Sequence, residues 1–242
     1  ALQAAIDSSL KNNLMINSGR LNSDYLEKLK ATAWGIPQTD VGFEYGNINS
    51  SFIDNRLFIS QNIKFPTVYS TQKRLADEEW KKGLLETSLR ENELKKEVQR
   101  VYYEMLFLNE KKKILQHTDS IFESFLIKTE LRLKSGESNI LENATAQTQR
   151  GQIAVQLQEL NNDFAMLQYQ FMWLLNTKTA YLPEPVPLKM PIAQTMDTSQ
   201  LLKHPFILQL QQQQKISASK VQLEKSKMMP DLFVGYSDMS ML

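Results

Sequence analysis

Several features that would mark common protein classes are missing from this sequence. Its 242 residues include no cysteine, which excludes structural disulfides and thiolate metal sites. The formal net charge is only +1, which argues against nucleic acid as the main partner, because nucleic-acid binding favours a basic surface. No apolar run approaches the roughly 20 residues of a membrane-spanning helix. The compartment stays open, because a chain without cysteine tolerates any redox environment.

Proline is also absent from residues 67–134, a long helical stretch that is the most informative feature of the chain. At a rise of about 1.5 Å per residue, this arm would be roughly 100 Å long. A return arm follows at residues 139–176. In both arms the apolar residues alternate at spacings of three and four: Leu94, Val98, Val101, Met105, Leu108, Leu115, Phe122, Leu126 and Leu133, then Ile153, Leu157, Leu160, Phe164, Leu167, Phe171 and Leu174. Such narrow stripes indicate an antiparallel coiled-coil hairpin, with Lys112, Asp119 and Thr129 at polar positions of the first stripe.

A five-residue turn at positions 134–138 joins the two arms. Gly136 suits the left-handed conformation that closes a helix, Ser138 can cap the next helix, and Glu142 falls in its first turn. An ordinary helix-ending turn and an exposed tip that docks a partner would both have this pattern. The residues alone leave both interpretations open.

Two segments before the long arm change to a period of two, which indicates β-strands. Their alternating apolar residues are Val41, Phe43 and Tyr45 in residues 39–48, and Leu57, Ile59, Ile63 and Phe65 in residues 55–65. Phe58 and Gln61 interrupt the second alternation. Each segment has about the 9 to 11 residues that a tilted strand needs to cross a bilayer. We expect Pro66 to end the second strand and Thr67 to cap the helix after it.

The two ends of the chain share one pattern. Residues 1–34 read as a helix that stops before Pro37, and residues 199–227 read as a helix that stops before Pro230. A strand-like segment follows each of these prolines. A proline-rich stretch within residues 177–198 predicts an extended crossing over the surface. The sequence therefore indicates an internal duplication, with a first copy and the start of a second.

The order of these segments resembles that of the TolC-like outer membrane efflux proteins. The matching residues are Ala1, Leu2, Ala5, Leu10 to Asn13, Pro37 to Thr39, Arg132 to Leu141, Ala144 and Gln147. The stretch at residues 41–46, with Gln61, Phe65 and Pro66, is most similar to the heavy-metal branch, which serves copper/silver and cobalt-zinc-cadmium efflux. The resemblance implies a mainly α, partial TolC-like fold. Its segments would be a first helix (1–38), an outer membrane strand pair (39–66), a periplasmic helical hairpin (67–176), an equatorial crossing (177–198) and the start of a second repeat (199–242).

The resemblance also implies a function and a set of partners. The chain would be the exit duct of a tripartite RND-type efflux system, a homotrimer in the outer membrane of a Gram-negative bacterium with a periplasmic extension. Its partners would be a periplasmic adaptor, an inner membrane RND pump and outer membrane lipid, without nucleic acid. The adaptor would contact the hairpin tip, made of Arg132, Lys134, Ser135, Gly136, Glu137 and Ser138. Lipid would contact Val41, Phe43, Tyr45, Leu57, Ile59, Ile63 and Phe65 in a shared β-barrel. The family's gate residues lie on a second hairpin, and we assign none here.

The remaining residues that could suggest chemistry have simpler explanations. His117 and His204 share no ligand spacing and are expected on helix surfaces rather than at a metal. Met228 and Met229 could suggest copper(I) binding, but methionine also fills irregular gaps between helices, and we favour that explanation. No phosphate loop, nucleophile elbow or paired-carboxylate site is present, so we expect no enzyme, cofactor or metal site. The main alternative function is a soluble coiled-coil scaffold or tethering protein, which needs the hairpin but not the strand pair.

Overall fold

The computed structural model describes residues 1–48, 53–137, 139–184 and 204–241. Helices dominate these parts of the chain, and three strands form one antiparallel sheet. The elements in chain order are α1 (Leu2–Asn12), α2 (Leu14–Thr32), β1 (Asp40–Gly46), β2 (Asp54–Ile63), α3 (Pro66–Lys134), α4 (Ile140–Leu175), α5 (Pro205–Ser226) and β3 (Leu232–Met241). The predicted mainly α fold is confirmed. Most of the predicted proline-rich crossing and the first residues of the last helix, at 185–203, lie outside the described residues.

The described residues form two compact units. One unit contains residues 1–17 and 90–184, which include the hairpin tip and both hairpin arms over most of their length. The other contains residues 18–89 and 204–241, which include the sheet and the helices next to it in the chain. The buried hydrophobic cluster lies in the first of these units.

The core of the first unit lies along the seam between α3 and α4. Val98, Val101 and Met105 of α3 are fully buried there. From α4, the ring of Phe171 lies 6.4 Å from the ring of Tyr102. Burying an apolar side chain of this size stabilises the fold by about 1.5–3 kcal/mol. The predicted coiled-coil seam is therefore correct in position and in spacing.

Polar side chains at the seam of α3 form hydrogen bonds and ion pairs with side chains of α4. Lys112 donates a hydrogen bond to the side chain of Asn161 at 2.8 Å. Arg150 forms ion pairs with Asp119 at 3.2 Å and Glu123 at 2.7 Å. The hydrogen bond to Asp119 is the main reason why the pKa of Arg150 is raised. Because a purely apolar ladder can slip by one heptad, such polar pairs fix the register of the two arms.

The first helical segment is not continuous, which corrects the prediction of one helix over residues 1–34. The break falls at Asn13, whose backbone is extended between α1 and α2. Its side-chain oxygen accepts hydrogen bonds from the backbone N–H groups of Met15 and Ile16, so Asn13 caps α2. Its side-chain nitrogen donates to the carbonyl of Leu174 at 3.2 Å.

The second unit packs α2 against α3 through small residues. Ser23 lies 3.2 Å from the hydroxyl of Thr87, and a side chain at Gly19 would meet that same threonine at 3.2 Å. By contrast, the larger side chains of Leu21 and Tyr25 are exposed. The predicted helix is present here, and its small residues rather than its largest apolar ones face α3.

A second contact between α2 and α3 is polar and aromatic. The ammonium group of Lys30 lies 3.5 Å from the ring centroid of Trp80 and 3.5 Å from the carboxylate of Asp77. Lys81 also binds Asp77 at 2.7 Å, and its hydrogen bond is the main reason why the pKa of this carboxyl lies below its usual value. These directional contacts fix the position of α2 along α3 more precisely than the packing of small side chains alone.

The sheet has the strand order β1–β2–β3, with both neighbouring pairs antiparallel. Val41 lies opposite Ile59, and Ile59 lies opposite Tyr236. The strands are shorter than the predicted segments at 39–48 and 55–65. Phe65 lies beyond the end of β2, and α3 begins at Pro66, so the predicted cap at Thr67 is wrong. Proline fits the first helical position because that position needs no backbone N–H donor.

Candidate functional site

Three surfaces of the molecule are candidates for function: the hairpin tip, one face of the sheet, and the outer faces of the two hairpin arms. None of them has the features of a reaction centre. Among the described residues, no three His, Asp or Glu side chains are grouped to hold a metal ion. His204 instead caps α5, since its ring nitrogen accepts a hydrogen bond from the backbone of Phe206. Within the same residues, no helix is both long and apolar enough to cross a bilayer.

The tip is built by a specific helix-ending motif. The backbone N–H of Glu137 donates to the carbonyl of Arg132 at 2.9 Å, and that of Gly136 donates to Leu133 at 3.2 Å. Gly136 has a φ of 78°, as predicted, which is the left-handed conformation that this motif requires. Ser135 completes the turn with a hydroxyl bond to the carbonyl of Arg132. The end of α3 is therefore a fixed turn rather than a frayed helix end.

The next helix begins with a different cap from the predicted one. Asn139 is the N-cap of α4, and its side chain accepts a hydrogen bond from the backbone of Glu142 at 3.1 Å. Asparagine caps helices as well as serine does, so the sequence offered two adjacent candidates. The predicted cap, Ser138, lies outside the described residues. Glu142 occupies the first turn as expected, where its negative charge interacts favourably with the helix dipole.

The tip residues are exposed, and apolar side chains surround them. Arg132, Lys134 and the turn residues up to Glu137 all face solvent. The exposed apolar residues beside them are Leu131, Ile140 and Leu141, with side chains 62–76% accessible. An open groove at the tip is lined by apolar Phe125 and Leu141 and by charged Arg132, Glu137 and Glu142. The tip therefore presents an apolar surface edged by charges of both signs.

One face of the sheet is apolar, and it is uncovered. The pairing register places six of the seven predicted lipid-facing residues on that face; Phe65, the seventh, is not in a strand. The six are Val41, Phe43, Tyr45, Leu57, Ile59 and Ile63. β3 adds Leu232, Val234 and Tyr236 to the same face, and it also places the charged Asp238 there, opposite Leu57. Val41 and Phe43 are each 66% exposed, and Tyr236 is 71% exposed. So large an apolar surface needs a partner or a lipid environment.

The opposite face of the sheet carries charged and polar side chains of β1 and β2 together with apolar side chains such as Phe233, and it includes Phe58, one exception to the strand pattern. Arg56 forms an ion pair with Glu44 at 3.6 Å on this face. The ring of Phe58 lies directly over Gly42, where a side chain would come within 2.2 Å of it. Glycine at this position therefore makes room for an aromatic ring on the polar face.

Gln61 is the other exception, a polar residue on the apolar face. Its amide nitrogen donates to the carbonyl of Pro37 at 2.8 Å, and its oxygen accepts a bond from the hydroxyl of Thr39 at 2.5 Å. The amide thus joins β2 to the segment that leads into β1. Because both ends of the amide are bonded, the side chain costs little on an apolar surface.

Each hairpin arm carries a second apolar row on its outer side. In α3 the row lies two residues after the seam positions, a rotation of roughly 200° around the helix, so it faces away from α4. Its apolar members are Tyr103, Phe107, Ile114, Ile121 and Leu131. The corresponding row of α4 contains Val155, Met166, Tyr169 and Trp173. Most of these side chains are more than half exposed. We call these two rows the outer seams.

The outer seams repeat the spacing of the buried seam. Phe107, Ile114 and Ile121 are seven residues apart, and Met166, Tyr169 and Trp173 follow at spacings of three and four. A coiled-coil helix with one partner needs one such row, whereas a helix with partners on two sides needs two. The hairpin is therefore shaped to pack against a further helix at each of its edges.

Comparison with known proteins identifies the fold. No protein-family model matches the chain, and no curated protein matches its sequence. Solved channels do match in structure. The outer-membrane channel OprN has a TM-score of 0.83 at 13% identity, covering 99% of this chain and 64% of that one. The channel-forming protein CusC gives 0.81 at 14%, covering 99% and 60%, and the Campylobacter jejuni outer membrane channel CmeC gives 0.78 at 11%, covering 100% and 61%.

The fold is that of the TolC-like outer membrane efflux channels. The chain spans about three fifths of the length of these channels. A small sheet with an exposed apolar face and a long coiled-coil hairpin occur together in the TolC-like fold.

The structure shows two exposed apolar features that the sequence pattern does not indicate. Leu131, Ile140 and Leu141 are not among the predicted tip residues, because they lie outside the turn sequence on which that prediction rests. The outer seams are hard to see in the sequence because polar residues interrupt both rows: Glu110, His117, Ser124 and Lys128 in α3, and Glu159 and Asn162 in α4. Both rows keep the heptad spacing of the buried seam at positions two residues further along the helix, and this spacing is the sequence signal for them.

The conformation of the tip gives a first testable prediction. Replacing Gly136 with alanine should lower the free energy of unfolding by about 1–2 kcal/mol, because a Cβ atom disfavours the left-handed conformation. Gly151 in the exposed interior of α4 provides the matched control. There, alanine should raise the free energy of unfolding by up to about 1 kcal/mol. Denaturant unfolding of both variants measures the difference, and equal effects would contradict the left-handed turn.

Proposed function

We propose that this chain is part of the exit duct of a tripartite RND-type efflux system in the outer membrane of a Gram-negative bacterium. The duct is a homotrimer that continues into the periplasm, and its cargo is a heavy-metal cation. The observation that carries the proposal is the coexistence of an uncovered two-faced sheet with a hairpin that has three apolar seams. The solved proteins with this fold are channels, which agrees with a function that is not enzymatic.

The sheet supports a membrane location. A strand in a bilayer must pair all of its backbone groups, so a three-stranded sheet needs further strands to close it into a barrel. In such a barrel the face that contains Phe43 and Ile59 meets lipid. The face that contains Glu44 and Arg56 meets water in the lumen. The ion pair between these two charged residues then lies on the wet side, where charges cost least.

The outer seams support the assembly. In the single chain, large apolar side chains such as Phe107 and Trp173 remain exposed over half of their surface or more. Packing each seam against a helix of a neighbouring hairpin would bury them and would continue the same knobs-into-holes geometry around a closed wall. A homotrimer of the full protein supplies such neighbours. In a closed ring of hairpins, every outer seam packs against a helix of a neighbouring hairpin.

The tip supports docking of a periplasmic adaptor that links the duct to an inner membrane pump. The groove beside Leu141 offers an apolar contact, and Arg132 and Glu137 offer charges of opposite sign next to it. Interfaces of this composition bind through a few apolar anchors, while the surrounding charges select the partner. A partner with apolar side chains flanked by both acidic and basic groups fits this surface.

The cargo assignment rests on the resemblance of the first strand, residues 41–46, to the heavy-metal branch. Cells that lack the gene should accumulate copper, silver, cobalt, zinc or cadmium when exposed to these ions. Elemental analysis of cells with and without the gene measures that accumulation. If cells without the gene accumulate an organic dye but no additional metal, the metal cargo is rejected, while the proposal of an exit duct stands.

Membrane fractionation tests the duct itself. The full-length protein should be recovered in the outer membrane fraction, and its mass in detergent should correspond to three copies. The alternative of a soluble scaffold predicts a different result, since it needs no sheet with an uncovered apolar face. Recovery of the full-length protein in the cytosol as single chains would reject the duct.

A further inference from the structure

A small cavity lies in the first unit, between α1, the hairpin and the residues that follow α4. Its volume is about 290 Å³, at the lower end of the range for small-molecule sites. Its lining comes from α1, from the paired helices α3 and α4, and from residues 181–184. We call it the α1 cavity. It is separate from the sheet, the outer seams and the tip.

The cavity has one wall of small side chains. They repeat at spacings of three and four, which places them on one side of α1: Ala1, Ala4, Ala5 and Ser8. Side chains of this size do not reach across to the opposite wall. The space between the two walls is therefore left open.

The opposite wall is aromatic and fixed in position. Tyr102, Phe171 and Leu175 are at most 5% exposed, and the rings of Tyr102 and Phe171 lie 6.4 Å apart. All three side chains belong to the hydrophobic core of the first unit. A ligand that packs against this wall finds it already ordered, which lowers the entropic cost of binding.

Residues 181–184 form the exposed side of the cavity. Tyr181 and Leu182 are 48% and 70% exposed. The carboxylate of Glu184 is likewise largely exposed. Because these side chains are the solvent-facing part of the lining, a ligand enters between them and α1. An apolar ligand body would also cover part of Tyr181 and Leu182.

The side-chain charge of the lining is negative. Glu184 brings a carboxylate to the cavity, and no described lysine or arginine lines it. The pKa of Tyr102 is raised above its usual value, mainly because the hydroxyl is buried and also because the charge of Glu184 disfavours the phenolate. The backbone nitrogen of Ala1 lies 3.5 Å from the Glu184 carboxylate, so an amine fits beside it. Both groups are exposed, which makes this contact weak enough for a ligand to replace it.

We propose that the α1 cavity binds small organic amines, in which an apolar body carries one positive charge. The ammonium group pairs with Glu184, and the body packs between Tyr181 and the wall that contains Tyr102 and Phe171. Cations are attracted to the faces of aromatic rings, which adds to the ion pair. An anion would be repelled by the carboxylate. The proposal does not depend on the duct, because every lining residue belongs to one unit of a single chain.

A fluorinated amine tests the proposal. The probe is para-fluorophenethylamine, which joins one aromatic ring to one ammonium group, and fluorine NMR measures its binding to the full-length protein in detergent. We expect a dissociation constant of roughly 1 mM, because so small a ligand has few atoms to contribute. The uncharged analogue, para-fluorophenylethanol, should bind about 2- to 5-fold more weakly, the effect of an exposed ion pair.

Three substitutions locate the bound amine. Ala4→Leu places a larger side chain in the cavity from an exposed position and should weaken binding at least about tenfold by steric exclusion. Glu184→Gln should weaken binding of the amine about 2- to 5-fold and leave binding of the alcohol unchanged. Tyr181→Ala should weaken binding of both probes, and it tests the site outside the helices if Ala4→Leu does not fold.

Matched controls repeat two of these changes away from the cavity. Ala154→Leu on α4 and Glu130→Gln on α3 alter exposed residues that do not line it, and both variants should bind the amine as the unchanged protein does. Unchanged binding to the Ala4→Leu and Tyr181→Ala proteins would place the amine elsewhere and overturn the proposal. Equal binding of amine and alcohol, or no effect of Glu184→Gln, would also overturn it.

Discussion

An aspartate at position 121 should convert the assembled protein into single chains. Ile121 lies in the outer seam of α3, 55% exposed in the single chain, and burial against a neighbouring helix would stabilise each interface by about 1.5–3 kcal/mol. Ile121→Asp removes that gain and places a carboxylate in the interface, at a further cost of several kcal/mol. Because a closed ring repeats the contact, the losses add over all copies. Light scattering or native mass spectrometry of the detergent-extracted protein measures the loss.

The neighbouring residue provides a matched control. Ser120 is also exposed on α3, but it lies outside the outer seam. Ser120→Asp should leave the oligomer intact, and neither substitution should change the free energy of unfolding of a single chain by more than about 0.5 kcal/mol. If both variants assemble equally well, the outer seams are not an assembly surface. If both dissociate, the effect comes from added charge rather than from the seam.

Changing the tip should abolish metal resistance without affecting assembly. Gly136→Val disturbs the left-handed turn, and Glu137→Arg reverses a charge at the edge of the apolar groove. Losing a central interface residue typically costs about 2 kcal/mol or more, which weakens binding roughly 30-fold. We therefore expect the double variant to lose resistance while its amount in the outer membrane and its oligomeric mass stay the same.

The control for the tip is a charge reversal elsewhere on the same arm. Glu130→Arg changes an exposed acidic residue of α3 that is not part of the groove. This variant should keep full resistance. Retained resistance in the Gly136 and Glu137 variant would contradict a docking role for the tip. Loss of the protein from the membrane would instead assign the tip to folding.

The long-range organisation could be predicted from the sequence because it rests on periodicity. The seam positions from Leu94 to Leu133 lie at spacings that only a coiled-coil helix satisfies, and the structure places them between the arms. The alternation of Val41, Phe43 and Tyr45 likewise fixes which side chains share one face of the sheet, whatever the exact strand ends are. These predictions depend on many residues at once, so local exceptions do not change them.

Features that depend on one tertiary contact could not be predicted. The helix break at Asn13 depends on a hydrogen bond to the carbonyl of Leu174, far away in the sequence. The buried face of α2 depends on the close packing of Gly19 and Ser23 on Thr87, which the sequence of α2 alone does not show. Phe58 appeared to break the strand pattern because nothing in a single strand shows that Gly42 lies beneath its ring.

Cysteine accessibility on the sheet tests the central claim most directly, since these 242 residues contain no cysteine that would react. Single cysteines replace residues of the polar face, Glu44 or Ser60, and residues of the apolar face, Phe43 or Ile59. Intact cells are then treated with a water-soluble maleimide. If the sheet is part of a water-filled outer membrane duct, the cysteines at 44 and 60 become labelled and those at 43 and 59 stay protected by lipid. Equal labelling of both faces would contradict this account.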